Sequence, residues 1–195
     1  MCGIVGYLGQ LDPKEVIIQG LKKLEYRGYD SAGIAMVSNG QTKRVRSQGK
    51  LIHLEEKLAT EKIEGHIGIG HTRWATHGVP SERNAHPHFV DGVSLVHNGI
   101  IENYLEIKAA LLSEGAKISS DTDSELVAHL ISKEVKKTND LLKAVQNVLP
   151  QLHGAFSILV MWEKSPEQLV AFKDGPPLVV GVSEGQTFVA SDVQA

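Results

Sequence analysis

The order of apolar runs predicts an α/β fold of the α+β kind, with two stacked, mainly antiparallel sheets and helical layers. Strand-like runs come in consecutive pairs, and helix-like stretches are grouped between them rather than alternating with them as βαβ units would. The 195 residues, 42% of them hydrophobic, suffice for one domain with a substantial core. No internal repeat, low-complexity tract or linker divides the chain.

Each element has a local reason. Residues 2–9, C-G-I-V-G-Y-L-G, read as a glycine-rich buried strand. Asp12, Pro13 and Glu15 stand where a helix wants its N-cap, its N1 proline and its N3 acid. Val16, Ile17, Leu21 and Leu24 follow at helical spacing until Gly28. Ile34–Val37, the Asn39-Gly40 turn and Thr42–Arg46 form a hairpin candidate, and a short helix covers Leu51–Leu58. Strands are expected over 66–71 and 93–97. Between them lies a loop of about twenty residues holding Arg73, Trp74, His77, two prolines, His86 and His88. Helices are expected over 102–113, 123–137 and 140–149, and the stretch from Ala155 to Ser191 reads as strands throughout.

Charge and composition exclude several classes. The net charge is −3 and no basic patch is visible, which argues against nucleic acid and against a membrane surface as partners. The Ile4–Leu8 and Ile158–Trp162 runs are too short for a signal core or a membrane span. A single cysteine allows no internal disulfide and favours a reducing compartment, so a soluble, cytoplasmic protein is expected.

That cysteine is the second residue. A thiol attacks as thiolate and needs a base. Once Met1 is removed, the α-amine of Cys2, with a reference pKa of about 7.7–8.0, puts nucleophile and base on one residue. With Met1 attached the same nitrogen is an amide and takes no proton. Position alone leaves a buried structural cysteine equally open. Four more segments bear on the choice: L-E-Y-R-G-Y-D-S-A-G (24–33), H-T-R-W-A-T-H-G (71–78), H-N-G (97–99) directly after a strand, and S-D-T-D-S-E (120–125) opening a helix. Singly, Arg73 reads as a surface arginine and Asp123 as a helix cap. The histidines His71, His77, His86, His88 and His97 have no recognisable metal-ligand spacing and no second cysteine beside them, so no metal is assigned. Gly3, Gly6 and Gly9 do not form a dinucleotide fingerprint, and no cofactor is expected.

Together, M-C-G-I-V-G, R-G-Y-D-S-A-G, H-T-R-W-A-T-H-G, H-N-G and S-D-T-D resemble the class II glutamine amidotransferases, and most of all the branch that makes glucosamine-6-phosphate from fructose-6-phosphate. The resemblance runs from residue 1 to 195. It implies the four-layer αββα sandwich of N-terminal-nucleophile hydrolases. It implies that Cys2 attacks the side-chain amide of L-glutamine, giving a glutamyl thioester and ammonia. Asn98 and the N–H of Gly99 would form the oxyanion hole. Arg73, with Thr76 and His77, would hold the substrate α-carboxylate, and Asp123 its α-ammonium. Trp74 falls in a loop that closes over glutamine in the family.

The resemblance also implies a partner. In the family the glutaminase domain continues into further strands and a sugar isomerase domain, neither of which the 195 residues contain. The chain is therefore expected to be a C-terminally incomplete glutaminase domain whose open sheet edge invites association, as a homodimer for example. Two other readings stand beside the glutaminase: a catalytically silent fragment that binds glutamine or a partner, and a glutaminase serving another acceptor.

Overall fold

The structure is a computed structural model that describes residues 2–75 and 78–195. Among the described residues ten strands form two sheets, and every pairing is antiparallel. The six-stranded sheet contains β1 (Gly3–Leu8), β2 (Ser31–Ser38), β3 (Gln41–Gln48), β4 (Ile67–Arg73), β9 (Val179–Ser183) and β10 (Gln186–Ala190), in the order β3-β2-β4-β1-β10-β9. The four-stranded sheet runs β5 (His88–Val90), β6 (Val93–Ile101), β7 (Gly154–Trp162), β8 (Ser165–Asp174).

Strand alternation sorts the side chains into three apolar layers. Val5, Tyr7, Ile34 and Met36 face helices α1 (Pro13–Leu24) and α2 (Leu51–Thr60), meeting Ile17, Leu21 and Leu54. Their neighbours Ile4, Ala35, Val37, Ile67 and Ile69 face the other way, onto Val96, Leu159 and Met161 of the second sheet. On the far side Val93, Leu95, Ile158 and Val160 pack against α3 (Tyr104–Ser113), α4 (Asp123–Thr138) and α5 (Leu141–Val148). The result is a four-layer αββα sandwich. Helix α1 lies close because β4 carries no side chain at Gly70, where a Cβ would come within 2.3 Å of Ile17.

Three expectations need correction. H-N-G does not follow a strand but lies inside β6, because the ladder with β7 continues through Asn98↔Ser157 and Gly99↔Phe156 to Ile101. The first helix ends at Leu24, and a 3₁₀ turn over Glu25–Arg27 fills the gap to Gly28. The long loop after β4 is not structureless: it contains β5, and two arginines of β3 clamp its backbone. Arg46 donates to the carbonyls of Ala85 (2.8 Å) and Arg83 (3.1 Å), and Arg44 to that of Pro87 (3.1 Å). No helix among the described residues is long and apolar enough to cross a membrane.

Candidate active site

The same alternation that builds the core aims four polar side chains into one gap. Cys2 precedes β1 on the side of Ile4; His71 and Arg73 continue the face of Ile67 and Ile69 on β4; Asn98 continues that of Val96 on β6. Where the apolar filling between the sheets ends, these residues begin. Cys2, Arg73 and Asn98 border a cavity of about 350 Å³ whose lining also includes Trp74, Gly99 and Asp123.

Cys2 is half-buried, and its thiol is held by one residue. The Trp74 N–H donates to Sγ at 3.1 Å, and the thiol faces the Trp74 carbonyl at 3.5 Å. Burial pushes the thiol pKa up, while the Trp74 N–H and the charge of Arg73 pull it down. The turn carrying Trp74 is pinned in its turn: Asp30 accepts from the Ala75 N–H at 2.7 Å, and the Asp30 N–H donates to the Arg73 carbonyl at 3.0 Å.

On the opposite sheet, the Asn98 carboxamide donates from Nδ2 to the Cys2 carbonyl at 3.0 Å. Gly99 has φ +124°, and a Cβ there would sit 2.0 Å from the Ala155 carbonyl oxygen, so only glycine fits this bend of β6. Arg73 is buried and donates from Nη2 to the Gly78 carbonyl at 3.1 Å. Burial lowers its pKa from the usual arginine range, against the pull of Cys2, Asp30 and Asp123.

Asp123 is the first residue of α4, and the N-cap is Thr122, so capping does not account for Asp123. Its buried carboxylate accepts from the Ile101 N–H at 2.8 Å, which ties the end of β6 to α4. The placement also suits the positive end of the helix dipole. Trp74 is 45% exposed, and its ring meets Tyr29 edge-on at 5.4 Å. Thr76 and His77, two further expected carboxylate contacts, lie outside the described residues, as does Met1.

Residues 71–195 match the family described as the glutamine amidotransferase domain, well over half of the chain. The chain belongs to that family. Among curated proteins it is 51% identical over all 195 residues to a glutamine–fructose-6-phosphate aminotransferase (isomerizing) of Brucella suis and 50% identical to one of Mesorhizobium japonicum. In both cases it spans 32% of the relative's length. Among solved structures, the Bacillus subtilis glutamine phosphoribosylpyrophosphate amidotransferase superposes over 97% of this chain and 42% of its own, with a TM-score of 0.83 at 28% identity. A glutamine aminotransferase class-II domain protein of Silicibacter pomeroyi shares the fold alone, with a TM-score of 0.63 at 16% identity over 97% of this chain and 88% of its own. The αββα sandwich of this amidotransferase domain is that of the N-terminal-nucleophile hydrolases.

The cavity also holds residues to which the motifs assign no role: Arg27, His97, Thr122, Ser124 and the Pro176-Pro177 pair. Arg27 is ion-paired with Asp192 and bonded to Tyr26, which ties the R-G-Y-D turn to the segment that follows β10. No local pattern marks that pairing, since its partners are 165 residues apart. Three of the described histidines lie against one another. His71 stacks on His86 at 4.2 Å and His86 meets His88 edge-on at 4.6 Å. Among the described residues no group of three or more His, Cys, Asp or Glu side chains is arranged to hold a metal.

Proposed function

We propose that the chain hydrolyses the side-chain amide of L-glutamine with Cys2 as nucleophile, and that in the longer protein the ammonia passes to fructose-6-phosphate to make glucosamine-6-phosphate. The observation that carries the first part is the thiol of Cys2 on a cavity wall, beside a carboxamide and a glycine bend that serve as oxyanion donors. The second part rests on identity of about 50% along the whole chain to aminotransferases named for that acceptor. The acceptor site, an isomerase domain, belongs to the two thirds of those relatives that lie beyond this chain. A cytoplasmic setting is proposed as well.

In this reading Cys2 Sγ attacks the amide carbon of glutamine. The thiol proton passes to the α-amine of Cys2, which is free once Met1 is removed, and on to the departing nitrogen, which leaves as ammonia. Water then cleaves the thioester, with the amine taking its proton, and glutamate is released. Asn98 Nδ2 and the Gly99 N–H meet the charge on the substrate oxygen; such preorganised donors are each worth about 10²–10³ in rate. Arg73 takes the α-carboxylate as a planar fork, with Thr76 and His77 beside it, and Asp123 takes the α-ammonium. Trp74 covers the bound substrate. These steps move protons and an acyl group only, so they call for no cofactor.

The test combines intact mass with glutamate release. A chain lacking Met1 is expected to release glutamate and ammonia in equal amounts. An electrophilic glutamine analogue should add once, at Cys2. Cys2→Ala should fold and lose turnover by about 10⁴-fold or more. Residual activity near wild type in that variant, or full activity with Met1 still attached, would overturn the mechanism.

A further inference from the structure

The stacked histidines have no part in the reaction as written, and one of them touches its machinery. His71 is fully buried at the end of β4, and its Nε2 lies 3.0 Å from two oxygens: the backbone carbonyl of His97 and Oδ1 of Asn98. Its Nδ1 is buried with no partner among the described residues. We propose that His71 is the positioning residue of the oxyanion hole, donating from Nε2–H to Asn98 Oδ1 so that the carboxamide nitrogen faces the cavity; the proposal rests on the glutaminase reading.

A carboxamide is nearly symmetric in shape, so only its hydrogen bonds decide which end points where. In the arrangement found, Oδ1 accepts from His71 and Nδ2 donates to the Cys2 carbonyl at 3.0 Å. Reversal would set Oδ1 against the Cys2 carbonyl, two acceptors face to face. It would also make His71 Nε2 an acceptor and move its proton to Nδ1, which has no partner among the described residues. The His97 carbonyl, also at 3.0 Å from Nε2, would then face a lone pair. Every neighbour therefore selects the Nε2–H tautomer. Burial holds the ring neutral, its pKa down to about 3, so the donor is a fixed dipole rather than a charge beside the thiol.

With Oδ1 held inward, one Nδ2 proton goes to the Cys2 carbonyl and the other is left for the substrate oxygen. Without His71 only the Cys2 carbonyl still favours this orientation, and each carboxamide that reverses presents an oxygen to a developing oxyanion. The loss would fall on the transition state and spare the ground state.

The experiment compares His71→Phe, which removes the donor, with His71→Gln, whose terminal amide can reach the Nε2 position. His71→Phe is expected to lower kcat for glutamine hydrolysis by about tenfold or more while KM stays within about threefold, and His71→Gln to recover most of it. Affinity for the γ-aldehyde analogue of glutamine, which adds to the thiol and forms an oxyanion, should fall in step with kcat. Affinity for glutamate should not. A folded His71→Phe with wild-type kcat, or a His71→Gln no better than His71→Phe, overturns the proposal. Should His71→Phe fail to fold, ¹⁵N shifts of His71 in the wild-type chain decide: a protonated Nε2 and bare Nδ1 are expected, and an Nδ1–H tautomer overturns it. A wild-type chain lacking Met1 that releases no glutamate counts instead against the glutaminase reading, and the tautomer then decides the His71 assignment alone.

Discussion

The cavity has one wall built on strands and another built on loops. The strand wall carries Asn98 and Gly99 in β6 and Arg73 ending β4, held by the ladders to β7 and β2, with His71 of β4 bonded behind Asn98. The loop wall carries Trp74, the Arg27 turn and the Pro176-Pro177 pair between β8 and β9. Trp74 is half exposed there, whereas His71 is not exposed at all. Groups that must meet a developing charge gain from geometry fixed before substrate arrives. Groups that admit and cover a substrate gain from freedom to move. The division predicts that changes at Asn98, Gly99 and His71 act on kcat, and that changes on the loop wall, like those at the charged residues Arg73 and Asp123, act on KM.

The largest effect expected on this contrast is at Asn98. Asn98→Ala removes a donor and, with it, the bond to the Cys2 carbonyl. Its kcat should fall by about 10²–10³-fold with KM little changed. A rise in KM at constant kcat would move Asn98 from the reacting oxygen to ground-state binding. Next come the two charges assigned to the substrate backbone. Arg73→Lys replaces a fork by a point charge, and Asp123→Asn removes the partner of an ammonium; each is expected to weaken glutamine by about 1–3 kcal/mol. Analogues lacking one α-substituent decide the pairing. Arg73→Lys should matter less for the analogue without a carboxylate, and Asp123→Asn less for the one without an amine. Equal losses on both analogues would separate these residues from the substrate.

The strand wall should also be the acid-sensitive one. Burial holds His71 down to about 3 and His86 and His88 well below the ordinary histidine range. The unfolded chain takes up those protons near pH 6.5 while the fold refuses them. The stability contributed by each neutral ring is thus fully present above about pH 6.5. It is lost as pH falls toward the folded value, at up to about 1.4 kcal/mol per pH unit. For His71 that amounts to about 2 kcal/mol at pH 5. Urea unfolding between pH 8 and 5 should therefore be shallower in pH for His71→Gln than for wild type. Parallel curves would mean that His71 is charged in the fold.

Much of this was legible in the sequence because the residues that border the cavity sit in short motifs on or beside strands and at a helix start. Cys2, Arg73, Asn98, Gly99 and Asp123 were each readable from a run of three to eight letters, and the structure brings them to one cavity. The antiparallel sheets were readable from paired apolar runs. What was not readable is contact across distance. Arg44 and Arg46 have the look of surface residues on a polar strand, yet they tie down the loop after β4. His71 had the look of one histidine among several, because its partner lies 27 residues away on the facing sheet. Its parity with Ile67 and Ile69 was the available signal: a polar residue in phase with a buried face needs a partner across it.

The smallest expected effect lies on the loop wall, at Trp74. The contact to the Cys2 thiol is made by its backbone N–H at 3.1 Å from Sγ, and alanine keeps that donor. The ring contributes an edge contact with Tyr29 and a partly exposed cover. Edge contacts between aromatic rings are worth about 0.5–1.5 kcal/mol when buried, and this one is half in water. Trp74→Ala is therefore expected to change kcat/KM for glutamine hydrolysis by less than about fivefold, mostly through KM. Steady-state kinetics beside Asn98→Ala tests this directly. A fall in kcat as deep as that of Asn98→Ala would mean that the ring sets the thiol's position. Loop and strand would then form a single catalytic wall, and the contrast between them would be lost.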